Sequence, residues 1–517
     1  MGVKRALVVG VIGVFGAIGL LGWTASAQAP APATLTCDNN PPLDTIQTAD
    51  PPTPTPIEGS LLTKGLPCTE NVSTRGLFGD NALANLQRGF DFYSWLTFLA
   101  LNSPADGSSI DKSSPNTPTK WEQPTNFKQL LDVMLPGGKS SKWEDKKIVP
   151  PECRDQYNKL NGKVMLVEMI EESFNEPFKT GPLIDQQGNY AIFDILMNKS
   201  MFDYIQERNL QSRTGQQSKE NGSLRVDFPA GTNTAPGNPG AVMIKVSWKV
   251  LDSPNERRNF HTVDALVLMP RHPKEATGPP CLRKTLGLVG FHVGHKTVNR
   301  RQWIWTSFEH VNNVPEQQDV DKQQTKAAYN FYNPKCDPTQ CPVNQTPPTP
   351  WEPTYKGGLK FHDSAFRSQI TRVVPLTDEA KEMNRQFQAI LGDSVWKNYM
   401  LLSTQWPSDF GCAGKKRYEH PAAAGSGYRL QERAGHELRT GADFSGELHA
   451  RNVQPGDRSA RVLELHGLSR KRCEPTGAPA RRKTSGLFES IGFHLHAGKG
   501  TLSADAIFSL RIEGGKS

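Results

Sequence analysis

After residue 21 the sequence holds no apolar run approaching the roughly 20 residues that cross a bilayer, so no internal membrane span is expected. It lacks H-E-x-x-H, G-x-S-x-G, a P-loop and a dinucleotide fingerprint, so zincin, α/β-hydrolase, NTPase and Rossmann chemistry have no motif to stand on. A basic stripe is missing too. The net charge is +8, but residues 416–517 carry 17 Lys+Arg against 11 Asp+Glu, which leaves the rest of the chain nearly neutral. That basic segment contains no tryptophan, and nucleic acid is therefore not an expected partner. The haem-attachment motif C-x-x-C-H is also absent: four residues separate Cys336 from Cys341, and Cys473 is the sole cysteine after Cys412.

What is present begins with an export signal. Lys4 and Arg5 precede an apolar stretch over residues 6–21, followed by an Ala-x-Ala site at residues 25–27 or 27–29. This pattern predicts a secretory signal peptide over residues 1–29 and a periplasmic or secreted product. No cysteine stands at the cleavage point to accept a lipid, so no stable membrane span is expected after signal cleavage. Export makes the eight cysteines candidates for disulfides rather than thiolate chemistry. Cys336 with Cys341 closes a short loop, and Cys37 with Cys68 staples the N-terminal arm, although spacing alone does not fix either pairing.

Residues 30–58 are rich in Pro, Ala, Thr and Asp and read as an extended linker. The body, residues 59–414, is expected to be α+β and strand-rich, sandwich-like, with a buried N-terminal helix and a C-terminal helical pair. Leu83, Leu86, Phe90, Tyr93, Leu96 and Leu101 recur at helical intervals behind a candidate cap, Asp80. Phe92, Trp95, Phe98 and Leu99 lie off that stripe, which makes the helix apolar nearly all round and central. Short β-branched runs at 241–251, 262–269 and 286–295 read as strands. Helix returns at Thr377, a capping residue, with Asp378 and Glu379 at the positive end of the dipole and Gly392 as terminator. The apolar segment 395–402 follows as the second member of the pair.

Within the body, His292 and His295 attract a ligand reading. On a strand their odd separation sends them to opposite faces, so they cannot grip one ion, and packed core histidines are the plainer account. Trp303 and Trp305 share a face if extended, with Glu309 and His310 following as an acid and a base. Packed core aromatics account for the same residues without a cofactor.

Four phrases carry a resemblance: GFDFYSWLTFLALN at 89–102, GLVGFHVGHKT at 287–297, WIWTSFEHVNNVP at 303–315 and SVWKNYMLLSTQWP at 394–407. Through them the chain, over roughly residues 81–414, resembles bacterial periplasmic cytochrome c family proteins. The resemblance implies a following segment with C-x-x-C-H and a closing phrase like DFTFML, and this chain shows neither. The departure comes after Gly414. All ten tryptophans precede it, and twelve arginines follow it.

Lys415 and Lys416 imply an adenine run, where one inserted base changes the reading frame. Back-translated with permitted codons and read one base later, residues 463–474 give SSCMGCHGNAV, so C-x-x-C-H is encoded out of frame across Leu463 to Cys473. Residues 486–500 give DFLNQSDFTFMLEK at the same offset. The aberrant basic tail, 415–517, is accordingly expected to be disordered.

These readings imply a mono-haem c-type cytochrome, active in electron transfer or as a redox-enzyme component, whose haem site is absent from the chain as written. Haem c is the cofactor implied for the intact relative, with a periplasmic redox partner, and none is expected for this chain. His292, His295, His310, Trp303 and Trp305 are the haem-proximal candidates in that relative. The alternative is an exported binding module or a non-haem enzyme such as a hydrolase.

Overall fold

The computed structural model describes residues 37–38, 59–63, 65–70, 82–170, 173–174, 181–218, 221, 226–232, 237–270, 280–300, 303–354 and 357–406. The expected signal peptide, most of the expected linker, the candidate cap Asp80 and the expected aberrant tail from residue 415 lie outside the described residues. No described helix is long and apolar enough to cross a membrane.

A short parallel pair, β1 (Cys37–Asp38) and β2 (Leu66–Pro67), opens the described chain. It is followed by helix α1 (Ala82–Asn102), strand β3 (Phe127–Gln129), helices α2 (Leu130–Val133) and α3 (Pro151–Lys159), and strands β4 (Met165–Glu168) and β5 (Ile192–Asn198). Helices α4 (Lys199–Glu207) and α5 (Arg213–Gln216) then lead to strands β6 (Val242–Val250), β7 (Thr262–Leu268), β8 (Cys281–His295) and β9 (Ile304–His310). Helices α6 (Gln317–Asp321) and α7 (Asp378–Ile390) precede the last strand, β10 (Tyr399–Gln405).

The body is α+β and strand-rich, and its layering comes from one curled eight-stranded sheet. The path runs β10-β9-β8-β6-β5-β3, with β7 and β4 branching from β8. The fork exists because β8 is 15 residues long. Its first half pairs with β7 and its last half with β9, while β6 runs along the opposite edge. Among the described strands of this sheet, only β4 and β7 run parallel.

Helix α1 lies over one face and is buried at every residue from Phe90 to Asn102, as its all-round apolar pattern requires. Trp95 stacks on Phe387 of α7 at 4.7 Å and meets Phe308 of β9 edge-on at 4.8 Å. Phe98 stacks on the same Phe308 at 4.1 Å. The opposite face is covered in part by α4, whose Met201, Phe202 and Ile205 pack with Ile195, Met197, Met243 and Trp303.

Thr377 caps α7 by accepting the amide of Ala380 at 3.1 Å, and Gly392, at φ 56°, ends it. The second helix of the expected pair is a single 3-10 turn, Val395–Asn398, that passes directly into β10. The reason is tertiary. The open edge of β9 takes up this segment as a strand, and α7 then supplies the hydrogen bonds that β10 lacks on its outer edge. Asn384 accepts from the Leu401 amide and donates to its carbonyl, each at 2.9 Å, while Gln388 donates to the Tyr399 carbonyl at 2.9 Å.

Among the described residues three disulfides are present. Cys37–Cys68 and Cys336–Cys341 follow the expected pairings. Cys153–Cys281, which ties α3 to the start of β8 across 128 residues of sequence, was not anticipated. Among the described residues no cysteine is free.

Candidate functional site

The antiparallel register puts the end of β8, the start of β9 and the end of β10 side by side: His295 faces Ile304, and Gln405 faces Trp305. Period-two alternation then sorts the side chains. Phe291 and His295 face α1, in contact with Phe98 and Tyr93. His292 faces the other side, opposite Lys245 and Ser307, and its Nδ1 lies 3.0 Å from Ser307 Oγ. The two histidines thus lie on opposite faces, as their spacing dictates. Gly294 between them is a matter of close approach: a Cβ there would lie 3.0 Å from the Trp305 ring.

His295 is 1% exposed and spends both ring nitrogens on protein. Nε2–H donates to the Pro239 carbonyl at 2.6 Å, which leaves Nδ1 to accept the Tyr93 hydroxyl. Burial pushes its pKa down to about 4, against the opposing pull of the Pro239 bond, so the ring is neutral. The Tyr93 phenol is held well above its ordinary range, first by burial and then by the negative Glu70.

The residues after β8 extend the polar cluster. Lys296 Nζ lies 2.6 Å from Asp227 Oδ1 and 5.8 Å from the Trp303 ring centroid. Thr297 Oγ1 donates to Glu70 Oε2 at 2.8 Å, and Arg300 Nη1 sits 3.0 Å from Glu70 Oε1. Glu70 is itself buried, two residues from the Cys37–Cys68 bond that fixes its segment. The Arg300 guanidinium lies 5.3 Å from the Phe90 ring, which stacks on Trp406 at 4.5 Å. Burial lowers the Arg300 pKa and the Glu70 charge opposes that shift.

The structure therefore places Trp303 and Trp305 on the same face of the sheet as His292, beneath α4, with His295 on the opposite, α1-facing side. Trp303 and Trp305 lie 5.9 Å apart, and Trp303 is packed in the cluster beneath α4, the plainer of its two readings. His310 is not part of this group. It ends β9, six residues and roughly 20 Å from Ile304. There its Nε2 donates to the Asn259 carbonyl at 2.9 Å and its Nδ1 accepts the Asn312 amide at 3.2 Å. It stacks on Phe260 at 4.2 Å, and burial lowers its pKa to about 4. Glu309 does not act beside it. As the next residue on a strand it points to the other face, where it pairs with buried Arg372 and accepts from Asn313 at 3.3 Å.

Other polar groups were not singled out by the sequence. His261 Nε2 lies 2.7 Å from Glu122 Oε1, and its ring stacks on Trp396 at 4.8 Å. Asp91 of α1 is buried, accepts from Gln87 at 2.9 Å and has its pKa raised by burial to about 6. Asp194 of β5 is raised by burial to about 7, partly offset by Gln129 and Lys147. The signal that finds such residues is a polar letter inside an apolar run, as in Phe-Asp-Phe at residues 90–92 and Phe-Asp-Ile at 193–195.

Among the described residues no group of three or more His, Cys, Asp or Glu is placed to hold a metal ion. The chemistry of the cluster is that of a clamp: a neutral imidazole committed on both sides and a buried ion pair roofed by aromatic rings. No family model matches the chain, and comparison with curated proteins and with solved structures yields no match.

Proposed function

We propose that this chain is the body of an exported mono-haem c-type cytochrome, serving electron transfer or a redox enzyme in the periplasm, made without its haem-attachment segment. The observation that carries the reading is convergence. The four resemblance-bearing phrases form α1, the end of β8, β9 and β10, which pack against one another in one core. β10 delivers the chain to Trp406, beside Phe90, shortly before Gly414, where the resemblance departs. Three disulfides suit an oxidising compartment.

The residues present do not fit haem c. Attachment takes two thiols for the vinyl groups and an adjacent histidine for the iron. The six described cysteines are all paired in disulfides, and only Cys412 and Cys473 remain in the sequence. His295 and His310 each commit both ring nitrogens to hydrogen bonds, so neither has a lone pair to offer iron in this conformation.

The test is to read the gene across the Lys415 and Lys416 codons and to express both frames with c-type maturation factors. The frame-restored product is expected to show covalent haem absorbance, and the chain as written is expected to show none. Codons that cannot spell C-x-x-C-H, or a restored product that takes up no haem, would overturn the reading. In that event a binding module or non-haem enzyme becomes the better account.

A further inference from the structure

The layer between residues 103–126 and the α1-facing side of the sheet gathers four buried polar atoms without a hydrogen-bond partner: Ser113 Oγ, Thr119 Oγ1, Trp248 Nε1 and His261 Nδ1. All four residues are buried, none more than 4% exposed.

Hydrogen bonds and ladder register bring them into one neighbourhood. Trp248 is opposite Leu288 in the β6–β8 ladder, and the Leu288 amide donates to the His261 carbonyl at 2.8 Å. With Thr262 opposite Gly287, Trp248 and His261 share a face two strand spacings apart, about 10 Å. The covering segment touches both. The Trp121 ring lies 6.1 Å from that of Trp248, and Glu122 Oε1 lies 2.7 Å from His261 Nε2. The Thr119 amide donates to Glu122 Oε2 at 2.7 Å. Ser113 joins through its carbonyl, which accepts the Val395 amide at 3.2 Å, next to the Trp396 ring that stacks on His261. Pro115 accepts the Thr262 amide at 2.6 Å, which fastens the same segment to the start of β7.

A buried polar atom left unpaired is costly, and native interiors meet that cost with protein or ordered water. The inventory of the four atoms selects the occupant. Trp248 Nε1–H only donates. With Nε2 facing Glu122, His261 Nδ1 is an acceptor in one charge state of the ring and a donor in the other, and the two hydroxyls do either. A cation leaves the indole N–H unmet, and an anion would be buried beside the Glu122 carboxylate. A small neutral molecule that both donates and accepts serves all four. We propose that this layer is an internal hydration site, in which ordered water joins His261, Ser113, Thr119 and Trp248 and mortars residues 103–126 onto the sheet.

Two measurements on the full chain test it. A crystallographic map fine enough to show solvent is expected to place water within hydrogen-bonding reach of His261 Nδ1 and of a Ser113 or Thr119 hydroxyl. In solution, water-oxygen relaxation dispersion reports long-lived internal water, and its amplitude is expected to fall in the Ser113→Ala/Thr119→Val double variant. A dry layer in the map, or the same dispersion amplitude in a folded double variant, overturns the proposal. If the double variant does not fold, the wild-type map decides alone.

Discussion

Replacing Asn384 with leucine should cost about 1–7 kcal/mol of folding stability, more than one polar residue on a mostly polar helix would suggest. Asn384 is 5% exposed and makes three hydrogen bonds: it accepts from Trp95 Nε1 at 3.0 Å and from the Leu401 amide at 2.9 Å, and donates to the Leu401 carbonyl at 2.9 Å. Leucine has a similar shape and removes all three. Two donors and one carbonyl would be left buried and unpaired, each at about 1–3 kcal/mol, offset by roughly 2 kcal/mol from the added apolar burial. Gln388→Leu is the graded comparison. It removes one bond to the Tyr399 carbonyl from a half-buried side chain and should cost about 1 kcal/mol. Urea unfolding followed by tryptophan fluorescence and circular dichroism reads both. The leucine variant at 384 should also associate with rising concentration, because the outer edge of β10 would present unpaired groups to another strand. An Asn384→Leu protein within 1 kcal/mol of wild type, or one no worse than Gln388→Leu, would refute the view that α7 serves as the missing neighbour of β10.

Stability against pH has a defined sign. His295 and His310 sit near 4 in the fold and near 6.5 when unfolded, so the unfolded chain binds more protons between those values and stability is lost as pH falls. Asp91 and Asp194, raised to about 6 and about 7, hold protons that the unfolded chain releases, so they add stability over much the same range as pH falls. The pairs offset each other, and a His295→Gln/His310→Gln variant should differ from wild type by up to about 2.7 kcal/mol per pH unit in slope between pH 4 and 6.5; equal slopes would contradict the assigned burial. For the disulfides, loop size sets the order. Cys153 and Cys281 are 128 residues apart, so alanine at both should cost about 5 kcal/mol, whereas Cys336 and Cys341, five apart, should cost about 2 kcal/mol. Chemical denaturation of the two double variants checks this, and the reverse order would show that the loop argument fails here.

Much of the frame is legible in the chain because its signals are local. Residues 241–251 and 262–269 become β6 and β7 with ends shifted by a residue, since β-branched runs between turn residues have few other ways to bury both faces. α1 and α7 follow from spacing and from Thr377. Residues 395–402 mislead because Val-Trp-Lys-Asn-Tyr-Met-Leu-Leu fits a buried helix as well as a strand. What decides is the free edge of β9 and the amides of Asn384 and Gln388, neither of which is visible in an eight-residue window. The Cys153–Cys281 bond is hidden for a similar reason, since it depends on α3 lying beside a strand that begins more than a hundred residues later.

The same distinction explains why the histidines resist assignment by pattern. A histidine in Gly-Phe-His-Val-Gly-His reads alike whether it grips a metal or fills a core, because its meaning is fixed by its second and third partners. For His295 these are Tyr93 and Pro239, separated from it by 202 and 56 residues. For Glu70, the acid of the same cluster, they are Thr297 and Arg300, held in reach by a disulfide on the other side of the motif. Once those partners are known, the cluster at the end of β8 spends its hydrogen-bonding capacity on the fold itself. On the cytochrome reading proposed above, the two thiols that haem attachment takes would lie outside the described residues, and the described body would contribute burial and aromatic surface.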